Sequence, residues 1–188
     1  MSTPRTLVVY DWLNVKEGGG EAVLYEVLAM YPDADLAVLI FNRAKFGHKI
    51  GDRTVKTSWL QYVPSWLKAR PEYLLPFVRS AVNSLSTKGY DRVIVCSSAY
   101  VKNIRLQPDQ PCVVYCYSPA RMFWDSWPAA MTRRTRSAVL RFAITRLVSQ
   151  LRLWDYYESQ DPRRKFIAIS ATIQRRIQKF YHRSSKVI

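Results

Sequence analysis

Val8-Val9-Tyr10-Asp11-Trp12-Leu13, followed after a short gap by Gly18-Gly19-Gly20-Glu21-Ala22-Val23-Leu24, decides the fold. The stretch reads as strand, glycine-rich loop and helix start. A helix that begins on glycines leaves its first backbone N–H groups able to face an anion, and without Cβ atoms a phosphate can lie against that backbone. A tight turn would use the same glycines.

Working outward, strands alternate with helices along most of the chain. Leu7–Tyr10 is a short apolar strand, and Gly20–Tyr31 is a helix with Val23, Leu24, Val27, Leu28 and Tyr31 on one face. Leu36–Phe41 and Arg53–Thr57 read as strands. Pro71–Leu85 reads as a helix that starts on an allowed proline and bends at Pro76. Arg92–Ser97, Cys112–Tyr117 and Lys165–Ser170 are further strands; Ala129–Glu158 and Ala171–Tyr181 are helical. Unbroken apolar runs such as Val93–Ser97 and Phe166–Ser170 predict a sheet covered on both faces. The fold class is α/β: a doubly wound, Rossmann-like parallel sheet with helices on both faces, in one domain spanning residues 1–188. Lys186-Val187-Ile188 begins one more strand at the last residue, so a further domain is expected beyond it.

The chain has no G-x-G-x-x-G, no G-x-x-x-x-G-K-[ST], and no acid at the end of its second strand. Dinucleotide-binding and phosphate-loop sites are therefore disfavoured. Cys112 and Cys116 stand about 13 Å apart on one strand, too far for a disulfide. With Cys96 they read as buried free thiols of a reducing compartment, and His48 and His182 stand alone, without zinc-site spacing. With no long apolar span and no leader-like segment, the expected location is cytoplasmic.

Charge is the unusual property: 29 basic residues against 14 acidic, net +15. No acid occurs between Ser126 and Trp154 or after Asp161. Such asymmetry points to an anionic partner, although a solvated basic face has the same composition. Leu140, Ile144, Leu147, Leu151 and Trp154 form a helical stripe beside Arg141, Arg146 and Arg152, near Phe123, Trp124 and Trp127. A basic amphipathic helix of this kind can dock on an anionic membrane surface. No nucleic-acid module is present.

Two strand ends carry candidate site residues. Ser97-Ser98-Ala99-Tyr100-Val101-Lys102 follows one strand, and Tyr117-Ser118-Pro119-Ala120-Arg121 follows the next. Open α/β sheets bind ligands at the carboxyl ends of their strands. Ser98, Lys102, Tyr117, Arg121 and Asp11 there suit a phosphorylated or polyhydroxylated ligand. Ser98 and Ser170 would also serve as helix caps.

Four segments together resemble one family: VYDWLNVKEGGGEAVLYEVLAMYPDADL, YDRVIVCSSAYVKNIR, VVYCYSPARMFWD and FIAISATIQRRIQKFYHRSSKVI. In this order and spacing the chain resembles the N-terminal domain of retaining glycosyltransferases of the GT-B fold, glycosyltransferase family four, the mannosyltransferase-like branch. The resemblance implies one half of a GT-B fold that binds the acceptor, with a missing C-terminal domain that holds most of a nucleotide-sugar donor and carries paired glutamates. It implies donor phosphates near Gly18, Gly19 and Gly20, a lipid-linked or glycan acceptor at the inner face of the cell membrane, and no bound metal or other cofactor. Two departures stand out: Tyr10 and Tyr117 replace histidines of the family pattern. Tyrosine is a poor base near neutral pH, so a second reading is a non-catalytic domain that binds an anionic membrane or a protein partner.

Overall fold

The computed structural model describes residues 4–14, 18–68, 71–125, 135 and 137–188. Seven parallel strands form one sheet in the order β3-β2-β1-β4-β5-β6-β7. They are β1 Thr6–Tyr10, β2 Asp35–Val38, β3 Val55–Thr57, β4 Arg92–Ser97, β5 Cys112–Cys116, β6 Arg164–Ala168 and β7 Ser185–Val187. The helices are α1 Gly19–Met30, α2 Arg43–Ile50, α3 Ser65–Lys68, α4 Val78–Ser84, α5 Arg121–Trp124, α6 Ala138–Ser159 and α7 Ala171–Tyr181, with 3-10 turns at Trp59–Tyr62, Pro71–Phe77 and Val101–Asn103. The order is that of a doubly wound Rossmann-like sheet.

Alternation along the strands divides the core. Val8, Tyr10, Leu36 and Val38 pack with Leu24, Val27 and Leu28 of α1 and Phe46 and Ile50 of α2. Leu7, Val9, Ala37 and Leu39 face the other way, towards α4, α5, α6 and α7. Helices thus lie on both faces, but unevenly. On the α1 side, Ile94, Val113, Tyr115 and Ile167 stay half-buried and line an apolar groove of about 340 Å³.

Several predicted boundaries shift. Proline at 76 lacks the N–H that an α-helix interior needs. The expected helix over 71–85 is therefore a 3-10 segment through Phe77 and a separate α4. The described part of the long helical region is α6; Arg133, Arg134, Arg136 and Trp127 lie outside the described residues. α7 matches its predicted span, capped by Ser170, whose hydroxyl accepts from the Ile173 N–H at 3.3 Å. Phe123 and Trp124 do not face outward beside α6: Phe123 is buried, and Trp124 stacks on Phe180 at 5.1 Å.

The three cysteines are free and buried. Burial pushes the Cys96 and Cys116 thiols up to about 12 and the Cys112 thiol up to about 11, from the usual 9.0. The native state therefore keeps protons that the unfolded chain releases in alkali. This contribution is fully present below the unfolded value and is lost as pH rises above it. Between those limits stability should fall by about 1.4 kcal/mol per pH unit for each thiol. Urea midpoints at about pH 8 and about pH 10 check this, and equal midpoints would contradict it.

Candidate functional site

Strand register brings the candidate residues to one level. Tyr10 pairs with Cys96, and Ser97 with Cys116. Asp11, Ser98 and Tyr117, each close beyond these pairs, therefore meet at the carboxyl edge of the sheet. With Gly19 and Gly20 at the head of α1 and Arg121 at the head of α5, they line an open cleft of about 490 Å³.

Asp11 forms the floor of the cleft, and its carboxylate is engaged within the chain. One oxygen accepts from the backbone N–H groups of Ser98 at 2.8 Å and Ala99 at 2.9 Å. The other accepts from Tyr100 at 2.8 Å and Val101 at 3.1 Å. The Ser97 hydroxyl donates to both, at 3.2 and 3.0 Å. A ring of backbone N–H groups after a strand is a ready anion site, and here the chain supplies the anion. Asp11 thus joins the ends of β1 and β4 and does not offer its carboxylate to a ligand. Ser98 remains half-buried in the wall of the cleft.

The glycine loop is tied down by Tyr117, Tyr10 and Glu21. The Tyr117 hydroxyl donates to the Gly20 carbonyl at 3.0 Å. The Tyr10 hydroxyl donates to Glu21 at 2.9 Å, and the other oxygen of that carboxylate accepts from the Gly18 N–H at 2.8 Å. Glu21 is the third helical residue after Gly18, a spacing at which an acid reaches back to the helix start. It was not singled out from the sequence, although that spacing was the available signal. A Cβ on Gly20 would stand 2.8 Å from the Tyr10 hydroxyl and 3.2 Å from the Tyr117 ring, so a side chain there must displace one or both tyrosines. A Cβ on Gly19 would meet nothing within 4 Å, so the cleft-facing side of the loop is open there. Gly18 is exposed and lies outside the lining.

Burial first, then Glu21, pushes the Tyr10 phenol well up; burial, then the Cys96 thiol, does the same for Tyr117. Both are therefore protonated hydrogen-bond donors at neutral pH. Neither supplies a base near neutral pH.

Lys102 needs correction. Its side chain is 1% exposed and lies in the core. It pairs with Asp155 at 3.0 Å, donates to the Ala99 carbonyl, and is absent from the lining of the cleft. A lysine buried and paired in this way does not hold a ligand. Arg121 is the cation of the cleft: it is exposed, and no carboxylate pairs with it among the described residues. Asp155, also not anticipated, accepts from Asn103 at 2.7 Å, the Trp124 indole at 2.6 Å and the Tyr181 hydroxyl at 2.7 Å. It thereby ties α6 to α5 and α7.

Among the described residues, no three His, Cys, Asp or Glu side chains converge as a metal site, and no helix is long and apolar enough to cross a membrane. The cleft can hold an anion against Arg121 and the open Gly19 backbone, and hydroxyl groups against Ser98.

No family model matches the chain, and no curated protein sequence matches it. Among solved structures it is similar to Anabaena HepE in complex with UDP and glucose, at 13% identity and a TM-score of 0.34, over 98% of this chain and 69% of that one.

Proposed function

We propose that the chain is the acceptor-side half of a GT-B glycosyltransferase that moves a hexose, such as mannose, from a nucleotide sugar to a lipid-linked or glycan acceptor in cell-surface polysaccharide synthesis. One observation carries the reading: the motif positions Gly19, Gly20, Ser98, Tyr117 and Arg121 come from separate segments and line a single cleft at the carboxyl edge of the sheet. In this reading the open Gly19 backbone admits a donor phosphate. Arg121 supplies the positive charge for it, or for a phosphate of the acceptor. Ser98 orients sugar hydroxyls, and Tyr117 holds the loop in place. A donor-side domain beyond Ile188 and chemistry without a resident metal belong to the proposal on the strength of the sequence resemblance alone. So does peripheral work at the cytoplasmic face of an anionic membrane.

The test is sugar transfer by the full-length protein. Gly19→Val adds bulk only on the open side of the loop, so stability should hold within about 0.5 kcal/mol while kcat/KM falls about a hundredfold through displacement of the donor. Arg121→Ala, which removes a charge-assisted contact, should lower it about tenfold or more. Unchanged transfer in both variants would overturn the site.

The tyrosines at both histidine positions favour a second reading, a glycosyltransferase-like domain without activity that binds an anionic membrane or a protein partner. Absence of transfer in the wild-type full-length protein, across nucleotide sugars, would decide for it.

A further inference from the structure

The stretches 59–68 and 72–77 have two sides. Leu60, Leu74 and Leu75 point inward and are buried in the core with Val78. The outward side is aromatic. Tyr62 is 85% exposed and Trp66 67%, with Tyr73, Phe77 and Trp59 also exposed. Trp59 and Phe77 meet edge to face at 5.8 Å, which makes the first and last of these residues neighbours. Five exposed aromatic side chains within one short stretch, two of them in contact, mark an interaction surface.

Its composition and surroundings select the partner. The exposed large side chains are Trp and Tyr with one Phe; the other exposed residues here are Pro64, Ser65 and Pro76. Amphipathic rings of this kind settle at the headgroup level of a bilayer. Between Arg53 and Asp91 the sequence carries Lys56, Lys68, Arg70, Arg79 and Lys88 against a single acid, Glu72. Next to the patch is a hollow of about 620 Å³ whose lining includes Arg43, Lys45, Lys68, Gln61 and Ser65 and no acid. α3 links the two features: Ser65 and Lys68 line the hollow while Trp66 points outward. Lys68 donates to the Gln61 carbonyl at 2.5 Å, and an ammonium has further N–H donors for a phosphate.

We propose that this aromatic face, with its cationic hollow, docks the chain on an anionic bilayer: the rings enter the headgroup layer and the hollow receives lipid phosphates. The proposal deepens the peripheral-membrane part of the functional reading and rests on that part; it is independent of sugar transfer. It is a different surface from the sequence-based candidate, the basic amphipathic α6 with Leu140, Ile144, Leu147, Leu151 and Trp154 beside Arg141, Arg146 and Arg152; Leu140 and Phe142 are exposed there.

Flotation of the 188-residue chain with phosphatidylcholine vesicles, with and without phosphatidylglycerol, tests it. The expected result is binding that needs phosphatidylglycerol and weakens with salt, with tryptophan emission quenched by brominated acyl chains. Tyr62→Ser with Trp66→Ser should weaken partitioning about tenfold or more, and Lys68→Glu with Arg43→Glu should do the same through lost headgroup attraction. Tyr62, Trp66 and Arg43 are exposed and Lys68 makes one hydrogen bond, to the Gln61 carbonyl, so far-UV circular dichroism should be unchanged. Leu140→Ser with Phe142→Ser serves as the comparison and should retain binding. The proposal is overturned if the α6 variant alone loses binding, if the wild type ignores anionic vesicles, or if the wild type sediments as a dimer that the aromatic variant splits. A failure of sugar transfer leaves all of these readings unaffected.

Discussion

Asp11→Ala is expected to remove about 4 kcal/mol or more of folding stability, because several buried N–H donors lose their acceptor together. The carboxylate is buried and receives the backbone N–H groups of Ser98, Ala99, Tyr100 and Val101 as well as the Ser97 hydroxyl. Alanine offers these groups nothing. Asn keeps one carbonyl oxygen but turns an NH₂ group towards N–H donors, so Asp11→Asn should lose roughly half as much. Urea unfolding of both variants measures this. A ligand-binding carboxylate behaves differently: its removal weakens binding and leaves stability nearly unchanged. A loss below about 1 kcal/mol for Asp11→Ala would therefore contradict the structural role assigned to it.

The second large effect is expected at Asp155. This carboxylate lies wholly inside the protein, where it pairs with Lys102 and accepts from Asn103, Trp124 and Tyr181. Asp155→Ala leaves the Lys102 ammonium buried without its counter-charge, and breaking a buried pair in this way costs about 3–5 kcal/mol. Removing both charges with apolar replacements of similar volume, Lys102→Met with Asp155→Leu, should recover much of that loss, since the stranded charge is then gone. A double-mutant cycle by urea unfolding gives the coupling. Additive losses would show that the pair is not the source. Trp124 follows Arg121 by less than one turn of α5, so the same hub also fixes the helix that carries the cation of the cleft.

These two residues show where the sequence was legible and where it was not. Apolar runs with period-two or helical spacing located the strands of the parallel sheet and the span of α7, because those patterns are local consequences of burial. α2 was missed: Arg-Ala-Lys-Phe-Gly-His-Lys-Ile buries only Phe46 and Ile50 and carries an internal glycine, so its signal is faint. The cleft was legible because open α/β sheets place ligands at strand ends, and six of the eight named residues, Asp11, Gly19, Gly20, Ser98, Tyr117 and Arg121, line it. Asp11 and Lys102 look the same in sequence, as polar groups just after strands. Their fates depend on partners far along the chain, at residues 97–101 for Asp11 and at Asp155 for Lys102. Local spacing carries no information about such pairings. Gly18 is the remaining case, in which the glycine sits one residue outside the cleft and holds the loop through Glu21.

In the proposed reading the donor phosphate approaches the strand-end cleft. Hydrogen exchange of the full-length protein, with and without saturating nucleotide sugar, tests it most directly. The account predicts slowed exchange in peptides covering Gly19 and Gly20 and the segment around Arg121, and loss of that protection in Gly19→Val. Protection confined to other parts of this domain, or unchanged in Gly19→Val, would contradict it.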